Sequence, residues 1–130
     1  MRDIKALIGI FVGALILNAI WELVQMPLYV VDVSGWDCWI LCLKASVWDA
    51  IIITGVYFLI DTPNRTTRYT LSGLLLILVA IFIEHRALVE GKWAYGESMP
   101  TLWGIGLSPL IQLPLLAIVT YELIRKLLKV

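Results

Sequence analysis

Four runs of about twenty predominantly apolar residues, at about 4–25, 36–60, 69–89 and 102–128, occupy nearly all of this 130-residue chain. A bilayer core about 30 Å thick is crossed by a helix of roughly 20 such residues, so each run is long enough to span. The expectation is an all-α integral membrane protein, one four-helix bundle forming a single transmembrane domain over residues 1–130. Composition agrees. The chain is 61% hydrophobic and 15% charged, with a mean hydropathy of +0.91, whereas soluble domains hold about 25% charged residues. A small soluble domain has too much surface for its volume to hide that apolar excess. Ten basic side chains balance ten acidic ones, which leaves no basic surplus for a nucleic-acid partner.

The intervals between runs carry turn chemistry. Pro27 follows the first, and Asp32, Ser34 and Gly35 lead into the second. Asp61-Thr62-Pro63-Asn64 closes the second, because proline removes a donor and disfavours helix at the residue before it. Gly91, Gly96 and Pro100 mark the longest interval. The first run follows Arg2 and Lys5 but is too long for a signal peptide, lacks a small-residue cleavage site, and carries Asn18, Glu22 and Gln25 distally. It reads as a retained helix.

Basic residues set the expected orientation, since short cytoplasmic loops are enriched in Lys and Arg. Arg2, Lys5, Arg65, Arg68, Arg125, Lys126 and Lys129 fall on one side, and only Arg86 and Lys92 on the other. Both termini are therefore expected in the cytoplasm. Trp21, Trp36, Trp39, Trp93 and Trp103 then lie at or near the outer interface, where an aromatic belt explains Trp36, Trp39 and Trp103.

No cofactor or metal is implied. Cys38 and Cys42 stand one helical turn apart, a spacing ill suited to a disulfide, and with His85 they make too few ligands for zinc. Both read as packing residues. Phosphate-loop, dinucleotide and hydrolase motifs do not occur.

The informative residues are polar ones inside the spans, because an ionisable group at a helix centre costs about 2.5–3.5 kcal/mol to insert and usually faces the bundle interior. Asn18, Glu22 and Gln25 share one face of the first helix, and Cys42, Ser46 and Asp49 one face of the second. Lys44 points away from the latter stripe. Glu84 and His85 lie near the outer end of the third helix, and Ser108 and Gln112 one turn apart in the fourth. At 1.5 Å per residue Asp49 is roughly 18 Å from Asp37, and Gln112 roughly 14 Å from Trp103. These groups converge in the outer half of the bundle and describe a pocket. Glu22, Asp49 and Glu84 are the candidate acid/base residues; Asn18, Gln25, Ser46, Trp93, Tyr95 and Gln112 are the candidate ligand-binding residues. Pro109 and Pro114, with Gly104 and Gly106 before them, predict a kinked outer end of helix four. The segment 86–102, with Trp93, Tyr95, Met99 and Pro100, reads as an amphipathic cap over the pocket mouth, and Arg86 and Lys92 as an attraction for an anionic headgroup.

The strings Asn18-Ala-Ile-Trp21-Glu22-Leu-Val-Gln25-Met-Pro27-Leu-Tyr29, Trp93-Ala-Tyr95-Gly-Glu-Ser-Met99-Pro100 and Gly106-Leu-Ser108-Pro109-Leu-Ile-Gln112, with Asp49 and Glu84, resemble a group of small bacterial four-span membrane proteins. That resemblance covers nearly the whole chain and implies a bacterial cytoplasmic membrane, but it carries no activity. Glu22-Leu-Val-Gln25-Met-Pro27 is also similar to an acidic-Gln-Pro motif of the EXPERA group, which includes emopamil-binding sterol isomerases and sigma-2-type receptors. There the motif belongs to the second helix, and here to the first, so this likeness implies only a lipid-sized pocket.

Three readings follow. The protein binds or modifies a lipid or isoprenoid, using carboxyl groups that exchange protons inside an apolar cavity. Alternatively it is an accessory or structural subunit that pairs with partner membrane subunits or with copies of itself. Thirdly, it is a small proton-coupled transporter or channel component with Asp49 as carrier site, which would need oligomers.

Overall fold

The computed structural model describes residues 4–30 and 36–129, apart from the side chains of Trp36 and Cys38. Expectations placed on Arg2, Asp32, Ser34, Gly35 and those two side chains therefore lie outside the described residues. Four helices form: α1 (Ile4–Gln25), α2 (Trp36–Leu59), α3 (Arg65–Glu90) and α4 (Leu107–Leu128). All four are long and apolar enough to cross a membrane, so the chain is a multi-pass, all-α membrane bundle.

Helix α3 starts four residues earlier than expected. Asn64 adopts extended backbone and its side chain accepts a 2.9 Å hydrogen bond from the Thr67 N–H, satisfying one of the orphan donors of the first turn. Asn64 therefore starts α3 as well as following the end of α2. Helix α4 starts five residues later than expected. Residues Thr101–Leu102 and Ile105–Gly106 pair instead as a short antiparallel ribbon, β3 with β4. Trp103 and Gly104 turn between them at φ 51° and 82°, the left-handed pair that a two-residue hairpin needs. Pro109 consequently sits in the first turn of α4, where a missing N–H breaks nothing. Only Pro114 lies inside the helix. The 14 Å depth estimated for Gln112 fails for the same reason: Trp103 is in the hairpin, and Gln112 is the sixth residue of α4.

A second ribbon joins the two loops at this end of the bundle. After one 3-10 turn (Met26–Leu28), β1 (Tyr29–Val30) pairs with β2 (Ala94–Tyr95), aligning Tyr29 with Tyr95. The Gly96 N–H donates to Leu28 O at 2.8 Å. A Cβ at Gly96 would stand 3.3 Å from that same oxygen, so the close approach favours glycine. The segment read as an amphipathic cap thus completes α3 and then supplies strands to two small β-ribbons.

Helix α1 packs against α2 and α4, and α3 packs against α4, while α2 and α3 barely touch. The order around the bundle is α2-α1-α4-α3, with an open seam between the outer pair. Small residues make the closed seams possible: Ala6, Ala14, Ala50, Ala80 and Ala117 are all buried, letting helices approach closely as membrane bundles require. Large apolar side chains such as Ile8, Leu43, Leu78 and Leu127 point outward. The arrangement is that of a lipid-facing surface, with much of the polarity turned inward.

At the end that carries the termini, acids meet cations. Glu122 receives Arg125 at 2.9 Å, the Tyr69 hydroxyl at 2.7 Å and Arg65 at 3.5 Å. Arg68 donates to Ile60 O at 3.1 Å and lies 4.0 Å over the Tyr57 ring.

Overpacking the closed seams should be costly. Ala14→Leu or Ala117→Leu is expected to destabilise the bundle by about 1–3 kcal/mol, seen as a lower thermal midpoint in detergent. Leu78→Ala, on the lipid-facing surface, should stay within about 0.5 kcal/mol.

Candidate functional site

Helix spacing brings Asn18, Glu22 and Gln25 to the inner face of α1, opposite Ser108 and Gln112 of α4 and Asp49 of α2. Gln112 is the junction. Its side-chain amide nitrogen lies 2.9 Å from Asn18 Oδ1, 3.0 Å from Glu22 Oε1 and 3.0 Å from Asp49 Oδ2. Two N–H hydrogens thus serve three acceptors, two of them carboxyl oxygens. Asn18 is oriented by its own amide, which donates to Ala14 O at 2.7 Å and leaves its carbonyl facing Gln112.

The donors form a directed chain. Ser108 Oγ donates to Gln25 Oε1 at 2.6 Å, and the Trp21 indole N–H donates to Gln25 Oε1 at 3.1 Å and to Ser108 Oγ at 3.2 Å. The Gln25 amide nitrogen donates to Gln112 Oε1 and to Glu22 Oε2, both at 3.1 Å. From Trp21 and Ser108 through Gln25 the donations run toward Gln112 and the carboxyl groups, so each bond polarises the next. Asn18, Gln25 and Gln112 are buried, where an unpaired polar group would be costly.

Glu84, from α3, sits in a separate cradle. The Tyr29 hydroxyl donates to Glu84 Oε1 at 3.1 Å and the Tyr95 hydroxyl to the same oxygen at 2.8 Å. The β1–β2 pairing delivers both phenols, with their rings 5.6 Å apart. Trp93 packs edge-on against Tyr29 at 5.9 Å. Its indole nitrogen is shut off from solvent beside Glu84 without forming a well-aligned hydrogen bond. Gly106 is the backstop: a Cβ there would stand 3.1 Å from the Tyr95 ring and 3.1 Å from Met99 Sδ. Both phenols lie above the spans and hold their protons more tightly than free tyrosine. Burial is the main cause in each, and the neighbouring Glu84 carboxyl adds to it.

Between α2 and α3 these groups border a cavity of about 630 Å³. Leu41, Cys42, Ala45, Trp48 and Ile52 form one wall, and Ala80, Phe82, Ile83 and Ala87 the other. Glu22, Gln25, Asp49 and Gln112 lie at its closed side, Glu84, Tyr29 and Trp93 toward the ribbons, and Lys44, Arg86, Glu90 and Lys92 at its rim. Among the described residues no ion pair involves Glu22, Asp49 or Glu84, and no group of three or more potential metal ligands occurs.

Most of the sequence-predicted residues gather here. Glu22, Gln25, Asp49, Glu84, Trp93 and Gln112 line the cavity; Asn18 and Tyr95 stand behind it, holding Gln112 and Glu84. Ser46 does not join them. It is buried, and its hydroxyl donates to Cys42 O at 2.7 Å within α2, a bond that satisfies a hydroxyl in an apolar seam. Lys44, expected to point away from the Cys42–Ser46–Asp49 stripe, lines the same cavity as Cys42 and Asp49 and is exposed at its rim. His85 is exposed. Trp21 is a donor in the network, whereas Trp39 and Trp103 are exposed. Sequence reasoning gave no site role to Trp21, Ser108 or Tyr29. Ser108 shares a face with Gln112, one turn away, and that spacing was the available signal. Tyr29 gave none, because its role depends on a ribbon that pairs it with Tyr95, 66 positions away.

Gln112→Leu should strand three acceptors at once and cost about 1–3 kcal/mol or more per unsatisfied group, read as a large fall in thermal midpoint. The phenols generate a pH prediction. The folded state keeps their protons above the ordinary tyrosine value, so their contribution is intact below about pH 10 and is lost as pH rises beyond it. Thermal midpoints measured between about pH 9 and pH 11 should fall for the native chain and fall less for Tyr29→Phe/Tyr95→Phe. Set against known proteins, the chain matches no family model, no curated protein and no solved structure.

Proposed function

We propose that this protein binds a membrane-soluble amphiphile, a lipid or isoprenoid, in the cavity between α2 and α3, and presents it to the Gln112–Glu22–Asp49 cluster. One observation carries the reading: an apolar-walled cavity of about 630 Å³ is bordered by the half-buried carboxyl groups of Glu22 and Asp49 and the buried amides of Gln25 and Gln112. That volume lies within the roughly 300–1,000 Å³ typical of small-molecule sites, which combine apolar walls with a few placed polar groups. The open α2–α3 seam gives such a molecule a route from the acyl chains without crossing water.

Three carboxyl groups are held by neutral donors and border an apolar space, an arrangement suited to proton donation or abstraction on a bound chain. Glu22 and Asp49 are the acid/base candidates at the closed side, and Glu84 the candidate below the ribbons. The accessory-subunit reading has less support, because Glu22 and Glu84 hydrogen-bond within their own chain. The charge asymmetry favours cytoplasmic termini, which turns the cavity toward the outer leaflet. The sequence resemblance favours a bacterial cytoplasmic membrane.

Native mass spectrometry of protein purified in a mild detergent tests the reading. The native chain should carry a retained hydrophobic species, and Ala45→Phe, which fills the cavity from the α2 wall, should lose it while keeping a cooperative thermal transition. Identical, unliganded masses for the two proteins would sink it.

A further inference from the structure

We infer that the amphiphile is anionic at the end lying in the rim, with phosphate-type chemistry, and that Lys44, Arg86 and Lys92 hold that group. The inference rests on the cavity being a lipid site. The rim is built from both walls of the seam: Lys44 from α2, Arg86 from α3, and Lys92 just beyond the end of α3. Among the described residues a single acid answers these three cations. Glu90 binds Arg86 at 2.8 Å and Lys92 at 3.5 Å. Among the described residues Lys44 is in no ion pair. Three positive charges against one leave two uncompensated, the complement of a phosphate monoester.

A basic residue at the end of α3 has a simpler use, since cations near a helix C-terminus answer its dipole. Arg86 and Lys92 could be explained so. Lys44 cannot: it is eight residues into α2, on the opposite wall, about 12 Å along the helix from Trp36. Its ammonium can travel along a flexible stem toward the interface, which is also where a headgroup lies. Arg86 supplies the planar fork that binds phosphate oxygens in pairs.

Charge placement also fixes the direction in which the ligand enters. Asp49 follows Lys44 by five residues, about 7.5 Å along α2, and there the cavity border changes from cationic to acidic. An anionic end is attracted by the rim and, among the described residues, finds no cation beside Glu22 and Asp49, so the apolar chain points inward and the headgroup stays at the mouth. The portion beside Gln112 is then a neutral part of the chain, some atoms away from the phosphate.

Calorimetric titration of the full-length protein in a neutral detergent tests this, using farnesyl monophosphate, farnesol and inorganic phosphate as probes. The monophosphate should bind about tenfold more tightly than the alcohol, the gain expected of two partly exposed ion pairs. Lys44→Gln/Arg86→Gln should abolish the preference while retaining the native thermal midpoint. Inorganic phosphate at millimolar concentration should not displace the monophosphate. Equal affinity of the two farnesyl probes for the native chain would overturn the anionic assignment and leave the lipid site standing. Displacement by inorganic phosphate alone would assign the rim to the free ion and overturn the amphiphile. Binding of neither farnesyl probe to a folded protein would remove the lipid site itself, and the inference with it.

Discussion

A single carboxamide ties three of the four helices together. Gln112 on α4 donates to α1 through Asn18 and Glu22, donates to α2 through Asp49, and accepts from α1 through Gln25. In a membrane, apolar side chains gain little by choosing each other over lipid, so interhelical polar contacts and close packing must select the neighbours. Gln112 makes these contacts at one level of the bundle. Above it Trp21 and Ser108 feed hydrogen bonds inward through Gln25, and toward the other end the seams between α1, α2 and α4 close on alanines.

The two ends of the bundle treat acids differently, and that contrast separates scaffold from site. Near the termini Glu122 and Asp61 meet arginines, so charge is neutralised by charge. Around the cavity Glu22, Asp49 and Glu84 are held by amides and phenols, which orient a carboxyl without cancelling it. Neutral donors leave the proton free to move, whereas an arginine would pin the carboxylate in its ionised form. The bundle has cations near the cavity too, but Lys44, Arg86 and Lys92 stand at its rim.

The architecture was legible because helical spans obey length and hydropathy, and α1 runs over the residues expected. Most of the site was legible for a related reason. Asn18, Glu22 and Gln25 share one helical face by spacing alone, and polar groups on one face of a membrane helix must be turned inward. What escaped depends on local backbone chemistry or distant pairing. Asn64 caps α3 by a side chain that a hydropathy profile does not register, and Trp103-Gly104 makes a hairpin inside what reads as an apolar run. Ser46 satisfies the spacing rule of the Asp49 face yet bonds its own helix, because a hydroxyl has that option and a carboxyl does not. Tyr29 reaches Glu84 only through the ribbon it makes with Tyr95, and no periodicity announces such a pairing.

If the cavity takes its ligand from the bilayer as proposed, the sparse contact between α2 and α3 also decides what governs its filling. A site that exchanges through a gap in its side wall samples molecules diffusing in two dimensions, and its occupancy follows their mole fraction in the leaflet and not their concentration in water. Saturation is then a property of membrane composition. For a ligand that stays in the bilayer, diluting the suspension leaves it untouched, whereas adding inert lipid to a proteoliposome lowers it, in proportion only well below saturation.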